Sequence, residues 1–481
     1  MRTPGASHPE SRRNRLEEEI KAVFDLSTQH GGERFRYLEI VEALRRSIRD
    51  GGLTPGTRLP PQRAVAAQLG VSIATVNRAY VEAARRGLIV GHVGRGTFVA
   101  EEPSAVGPSG REAAADIDLT TNRLSFGEGA VPHLLSAIRA IGEYAELDEL
   151  MRPRPGPGHH RHRVAGCKWL AKVGVEAKPD EVVICNGLQH GLSLILTAFA
   201  EPDDAILTEE LNYPGIKLLD KAHNVNVQGL AIDAEGLCPD AIEAACARGR
   251  ARFLICTPSI HNPTNAMMPV GRRKALAKLA ERHDLLIIEC DNNEIPPVDP
   301  LPQLCDFAKE RSFHVSSAWR VSGAGIHLGF IRASIEHAQR IALALQATTW
   351  MISPLQAEIF SIWINDGTAE RILGWHRNEN ARRLAIAMKV LGDRDIGSHP
   401  DSPNIWIHLP APWRSEDFAQ LAARRGVLVT TADNFAVGRT VAPHAVRVSL
   451  GGARDHESLE RGLRHLADIL AEGPRPAKLV L

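Results

Sequence analysis

Residues 53–100 read LTPGTRLPPQRAVAAQLGVSIATVNRAYVEAARRGLIVGHVGRGTFVA, and this stretch decides the architecture of the front of the chain. Pro55-Gly56 marks a turn. Pro60-Pro61 stands where a helix can start, because proline has a helical φ and needs no N–H partner there. Val65, Ala66 and Leu69 then share one face, and Gly70 ends the helix. Ser72 is placed to cap a further helix with a buried stripe of Val76, Ala79, Tyr80 and Ala83. Two extended segments, 87–90 and 96–99, flank Gly91-His92-Val93-Gly94-Arg95 and predict a hairpin. Working back, Tyr37, Ile40, Val41, Leu44 and Ile48 recur at helical spacing up to Gly51-Gly52. Three helices with a sharp turn between the second and third, then a hairpin, predict a winged helix-turn-helix over residues 34–100. Residues 1–33 read as a polar tail with one short helical segment, 15–24.

Residues 101–116 are rich in Pro, Gly, Ser and Ala and read as a linker. From 117 to 470 short apolar segments alternate with helical stretches, with strands predicted at 181–185, 205–208, 251–257, 285–289, 313–316 and 329–331. That alternation predicts an α/β domain with a mostly parallel sheet. Residues 471–481 are left as a tail.

The charge is uneven. Residues 34–100 hold eleven arginines against Glu39, Glu42, Asp50 and Glu82, a net +7 in a chain whose total is zero. A basic module on an acidic body points to a polyanionic partner. No run of about 18 apolar residues is present, which excludes a helical membrane span. The first thirty residues lack the apolar core of a secretory signal. Cys167, Cys185, Cys238, Cys246, Cys256, Cys290 and Cys305 are scattered, odd in number and never spaced C-x-x-C. This argues against a disulfide framework and a structural zinc site, and for a reducing cytoplasm.

The predicted third helix opens with Ser72, Thr75, Asn77 and Arg78, polar groups suited to phosphates and base edges in a major groove. Over residues 34–100 the sequence resembles the GntR family of DNA-binding domains nearly end to end. The resemblance implies a double-stranded DNA operator as partner, contacts from Arg58, Arg63, Ser72, Thr75 and Arg78, and wing contacts from Gly94, Arg95, Gly96 and Thr97. Ile73 departs from the family, which often has Arg there; the change is expected to alter base preference.

Residues 117–470 resemble the fold-type I aminotransferases, in particular the MocR subfamily of GntR regulators. The resemblance implies a mostly parallel sheet and a smaller C-terminal α/β subdomain. It rests on ICNGLQHGLSLIL, where the backbone near Leu188 and Gln189 would hold a phosphate on a helix N-terminus. It rests also on EELNYPG, with Tyr213 at the ring-stacking position, and on TPSIHNPTNAMMP, with Asn262 at the position facing the ring hydroxyl. VRVSLGG places Arg447 where the family grips a substrate carboxylate, and GHHRHR ends in Arg163. Departures cluster in the same pocket. SSAWRVSGAGIHLGF puts Arg320 at the position of the Schiff-base lysine, and a guanidinium has no free amine to attack an aldehyde. LLIIECDNNEI puts Cys290 where a carboxylate would meet the pyridine nitrogen, with Asp291 a poor substitute if the strand continues. His327 stands for the phosphate-gripping arginine, and Asn292 or Asn293 for a family tyrosine. Lys217 and Lys309 are the lysines weighed as replacements.

The expectation is therefore a cytoplasmic, homodimeric transcription regulator and not an enzyme. Its cationic pocket of Arg320, Arg447 and, if protonated, His327 would take a small anionic effector without covalent chemistry. Pyridoxal 5'-phosphate or an analogue would enter only noncovalently. The alternatives are a regulator that still uses pyridoxal phosphate, a working transaminase and a scaffold with a dead pocket. No metal is expected: His159, His160 and His162 lack the spacing of a helical ligand pair and read as a surface cluster, and Glu289, Asp291 and Glu294 read as a strand end.

Overall fold

The computed structural model describes residues 36–49, 52–54, 56–85, 88–92, 96–99, 117–121, 130–143, 147–291 and 295–474. It falls into two compact units that divide between Ala113 and Ala114. The segment 15–24 and most of the predicted linker lie outside the described residues.

The first unit holds α1 (Arg36–Arg49), α2 (Gln62–Leu69), α3 (Ile73–Arg85), β1 (Ile89–His92) and β2 (Gly96–Val99). The helical stripes read from the sequence form its core: Ile40, Val41, Leu44, Val65, Ala66, Val76, Ala79, Tyr80 and Ala83 are buried together with Ile89 and Val99. Each large side chain removed from water there contributes about 1.5–3 kcal/mol. Gly70 closes α2 in the left-handed region at φ 61°. Ser72 caps α3, its Oγ accepting from the Thr75 N–H at 3.1 Å. The Tyr80 hydroxyl donates to the Pro60 carbonyl at 3.1 Å, tying α3 to the turn before α2. β1 and β2 are antiparallel, and residues 56–59 join them, with Leu59 N donating to Thr97 O and Val99 N to Thr57 O at 2.8 Å each.

The second unit is built on seven strands: β3 (Val182–Cys185), β4 (Ala205–Glu209), β5 (Asn226–Leu230), β6 (Ala251–Cys256), β7 (Leu286–Asp291), β8 (Ser312–Ser317) and β9 (Gly329–Arg332). Their order is β3-β9-β8-β7-β6-β4-β5. Only β9 runs antiparallel to its neighbours. Every residue of β3 and β8 is buried, as expected of strands covered on both faces. One core joins Ile184, Ile288, Val315 and Ile331 to α4 (His160–Lys172) and α5 (Gly187–Phe199). The other joins Leu254 and Ile287 to the helices Pro239–Arg248 and Val270–Arg282. Gly191 lets α5 lie close on the sheet, since a Cβ there would stand 2.6 Å from Val315 Cγ1. α6 (Trp319–Ile326) follows β8, and α7 (Pro354–Asn365) leads to α8 (Thr368–Leu391).

A smaller antiparallel sheet of β10 (Ile396–Gly397), β11 (Asn404–His408), β12 (Thr430–Thr431) and β13 (Ala445–Ser449) has the order β10-β11-β13-β12. Its core of Ile405, Phe418, Val448 and Leu463 includes residues of α8 and α9 (His456–Glu472). The opening segment Ile117–Asp118 pairs in parallel with Val427–Leu428 of this subdomain. None of the described helices is long and apolar enough to cross a membrane.

Three sequence expectations change. β5, with the polar sequence NVQGL, was not foreseen; it gains its place by pairing with β4. β7 continues to Asp291, so Cys290 and Asp291 are still in a strand. The three histidines are not all at the surface: His160 is exposed, but His159 is 8% and His162 2% exposed, and His162 Nε2 lies 2.6 Å from the buried Glu358 carboxylate.

Candidate functional site

The polar groups expected to meet DNA lie on the outside of the first unit. Arg58, Arg63, Ser72, Asn77 and Arg78 are exposed and Thr75 is half-buried. The pairing of residues 56–59 with β2 brings Arg58 beside Gly96, whose Cβ position lies 3.0 Å from Arg58 Nε, and so beside Thr97. Ser72 and Thr75 also share a hydroxyl–hydroxyl hydrogen bond of 2.8 Å. Arg78 lies over the Tyr37 ring, 4.3 Å from its centroid. Gly94 and Arg95 fall outside the described residues.

In the second unit the candidate residues gather around the carboxyl ends of the parallel strands, where open α/β sheets leave a crevice. α5 begins straight after β3, and its first residue, Gly187, has φ 72°, a left-handed conformation that favours glycine. Leu188 is buried; the Gln189 side chain is turned away to donate to Gly215 O at 3.0 Å. His327 occupies the space in front of this helix end. Its Nε2 stands 2.3 Å from the place of a Cβ on Gly187, it bonds the Asn186 backbone, and it packs edge-on against Trp319 at 5.0 Å. Burial lowers its pKa, so His327 is neutral at pH 7 and is not one of the pocket's cations. His190, in the first turn of α5, is lowered by burial and by His327.

Arg447, on β13, ties together candidate residues from distant elements. Nη1 donates to Asn262 Oδ1 at 3.1 Å and Nη2 to the Thr120 carbonyl at 2.8 Å, while the guanidinium lies 4.8 Å from the Phe435 centroid. Nε is buried and has no hydrogen-bond partner among the described residues. Burial, and then the charge of Arg320, bring its pKa down to about 10. Arg320 follows β8 in the first turn of α6 and is 4% exposed. His376 of α8 bonds its backbone and is held down to about 4 by burial and by the Arg320 charge. Tyr213 is half-buried, folded over Gly215. Cys290 is buried in the core and its thiol is pushed far up by burial. Asp291 accepts from Ser316 Oγ at 3.0 Å.

The structure thus brings Asn262, Arg320 and Arg447 together and sets His327 against Asn186, Gly187 and His190, at the helix end that Leu188 and Gln189 follow. It sends the two lysines elsewhere: Lys217 Nζ donates to the Asp433 and Asn434 carbonyls, and Lys309 faces Glu181 at 3.6 Å. Arg163 donates to Pro179 O and Asp180. Thr120, Phe435 and His376 were missed. Each reaches the pocket from a distant element, and no local pattern marks them. Among the described residues one group of metal-ligand type exists: Glu289, Cys305 and His314 offer atoms within 4.8 Å of one another, all buried. Glu289 already accepts the Leu304 and Cys305 backbone N–H groups and faces Arg273 at 4.0 Å, a charge-balanced network that needs no ion.

Comparison with known proteins agrees with this division. Residues 36–99 match the bacterial regulatory proteins of the gntR family, and residues 114–291 match aminotransferase class I and II. The HTH-type transcriptional regulator YdeF of Bacillus subtilis is 26% identical over 450 residues, spanning 90% of this chain and 94% of YdeF. The pyridoxine biosynthesis transcriptional regulator PdxR of Corynebacterium glutamicum is 25% identical, spanning 90% and 96%. The vitamin B6 salvage pathway transcriptional repressor PtsJ of Salmonella typhimurium is 25% identical, spanning 87% and 95%. Among solved structures, an archaeal alanine:glyoxylate aminotransferase superposes with a TM-score of 0.66 at 21% identity, covering 74% of this chain and 91% of its own. The fold is that of an aminotransferase carrying a helix-turn-helix domain at its front, which makes the chain a DNA-binding transcriptional regulator with an aminotransferase-like domain. More narrowly, it has the composition of a GntR regulator of the MocR type.

Proposed function

We propose that the second unit senses a small anionic metabolite, held noncovalently at Arg447, and that its occupancy alters how the N-terminal domain holds an operator. The observation that carries this reading is the state of Arg447. It is 8% exposed, has Asn262, Thr120 and Phe435 as its described partners, and keeps one buried N–H without an acceptor among the described residues. A pKa of about 10 leaves it charged at neutral pH. A buried cation with no counter-charge among the described residues is costly, and a carboxylate or phosphate ester gripped through Nε and an Nη group supplies that charge. We read the working form as a cytoplasmic homodimer that places two heads on paired half-sites of double-stranded DNA.

The residues present do not fit covalently held pyridoxal phosphate. Arg320, at the position the resemblance gives to the lysine, has no amine that forms an imine. Burial keeps the Cys290 thiol neutral and its pKa far above the usual range, so it offers no carboxylate to a pyridine nitrogen. His327 fills the space over Gly187 where the helix end would cradle a phosphate. We therefore read the unit as a sensor and not as an enzyme. The vitamin B6 titles of PdxR and PtsJ favour one second reading, a noncovalent pyridoxal phosphate guest.

The test is a thermal-shift screen of the full chain against small carboxylates and phosphate esters, pyridoxal 5'-phosphate among them, repeated on Arg447→Ala. A guest at a hundred times its Kd stabilises by about 2.7 kcal/mol. The expected result is a shift in the wild type that Arg447→Ala loses. The same shift in both proteins, no shift with any compound, or a borohydride-trapped lysine adduct with pyridoxal phosphate rejects the proposal.

A further inference from the structure

The outward row of α3 has an unusual composition for a helix that meets a polyanion. Ile73, Asn77 and Val81 stand four residues apart, and Ile73 is 52% and Val81 62% exposed. Ala74 and Asn77 are exposed as well. Ile73 is not among the domain's core residues, which come from the adjoining face of the helix (Val76, Ala79, Tyr80 and Ala83), and about half of its surface stays open to solvent. The polar groups around it are partly engaged: the Ser72 and Thr75 hydroxyls bond each other, and Arg78 rests on Tyr37. The first two turns present outward the aliphatic Ile73 and Ala74 beside the Asn77 amide, with Arg78 exposed next to them against Tyr37.

In a helix-turn-helix the N-terminal residues of the second motif helix meet base edges in the major groove. There thymine alone among the unmodified bases projects a methyl group, adenine suits a bidentate Asn, and guanine suits Arg or Lys. Positions 73 and 77 are about 6 Å apart along the axis, against about 3.4 Å per base pair, so they reach neighbouring steps. We infer that Ile73 is a specificity-determining residue that reads the 5-methyl group of a thymine, with Asn77 facing an adjacent adenine edge. The half-site beneath the start of α3 is then A·T and not G·C. The inference rests on the DNA-binding role of the N-terminal domain and is independent of what the second unit binds.

The experiment is selection of duplexes from a random library by the full-length protein, followed by gel-shift titration of the selected duplex. In the titration the conserved thymine is replaced by deoxyuridine, which removes only the methyl. The expected result is a thymine at the position and a wild-type loss of about fourfold with deoxyuridine, the scale of burying one methyl group. Ile73→Ala binds both duplexes equally, and Ile73→Val, which keeps an aliphatic tip, retains the discrimination. A 5-methylcytosine·guanine pair at the position separates the methyl from the rest of the base pair: binding at the thymine level shows that the methyl alone is read. A guanine in the selected site, no deoxyuridine penalty, or a penalty that persists in Ile73→Ala overturns the inference. Failure of the wild type to select any duplex sinks the DNA-binding role itself, a result distinct from selection of a thymine-free site.

Discussion

Arg447 and Arg320 are close enough for one guanidinium to feel the other: burial first, and then the Arg320 charge, pull Arg447 down to about 10. Two like charges in one buried place are a poor choice for stability and a good one for holding an anion. Replacing Arg447 by Met removes the desolvation cost and the repulsion. The unfolding free energy of the ligand-free variant in urea is expected to match the wild type or exceed it by about 1 kcal/mol. All seven tryptophans lie between Trp169 and Trp413, so fluorescence follows the second unit alone. A loss above about 2 kcal/mol would identify Arg447 as a structural strut.

His376 gives the pocket a pH signature. Its folded pKa is about 4 and its ordinary value 6.5. The unfolded chain therefore takes up a proton that the folded chain refuses. The stability tied to the neutral imidazole is complete above pH 6.5 and declines as pH falls toward 4, by up to about 1.4 kcal/mol per pH unit. His261, also lowered to about 4 by burial, acts in the same direction. Glu209, pushed up to about 7 by burial, acts oppositely, adding stability as pH falls from about 7 toward 4.5. His376→Gln isolates one contribution: the difference in urea midpoint between variant and wild type should shift in the variant's favour between pH 6.5 and 4.5. A pH-independent difference would exclude a buried neutral His376.

At the front of α5, Gly187 and His327 are sterically coupled. Gly187→Ala places a methyl 2.3 Å from His327 Nε2 on a backbone at φ 72°. The strained φ alone costs about 1 kcal/mol, and the clash adds to it. His327→Ala should relieve the second part, so a double-mutant cycle is expected to give about 0.5–3 kcal/mol of coupling. Additive effects in the same urea titrations would mean that His327 has other room to occupy.

Arg58, held beside β2, should act on DNA through charge. Arg58→Ala is expected to weaken binding similarly for selected and random duplexes and to lower the slope of log K against log salt by about one. Fluorescence anisotropy at several salt concentrations checks this. A loss confined to the selected duplex would move Arg58 from phosphate to base contact.

Much of this was legible in the sequence because local rules agree with each other there. Gly70, Ser72 and the stripe from Val76 to Ala83 fix helix ends and faces by short-range chemistry, and the structure places them accordingly. Apolar strands such as β3 and β6 declared themselves by composition. β5 did not, since Asn226 and Gln228 carry no strand signal and the pairing with β4 alone defines it. In the pocket, motifs located Asn262, Arg320 and Arg447. The partners Thr120, Phe435 and His376 come from elements far apart in the chain, and only the packed fold brings them together. The charge of His327 was likewise undecidable from its neighbours in sequence, because burial settles it.

The Thr120 carbonyl that accepts from Arg447 belongs to the stretch whose start, Ile117–Asp118, is stitched to Val427–Leu428. This is where the polypeptide enters the second unit after leaving the first. A guest that recruits the Nη2 proton competes with that carbonyl for it. On the proposed reading, the expected consequence of such a guest is a loosened Thr120, at the end of the stretch stitched to Val427–Leu428.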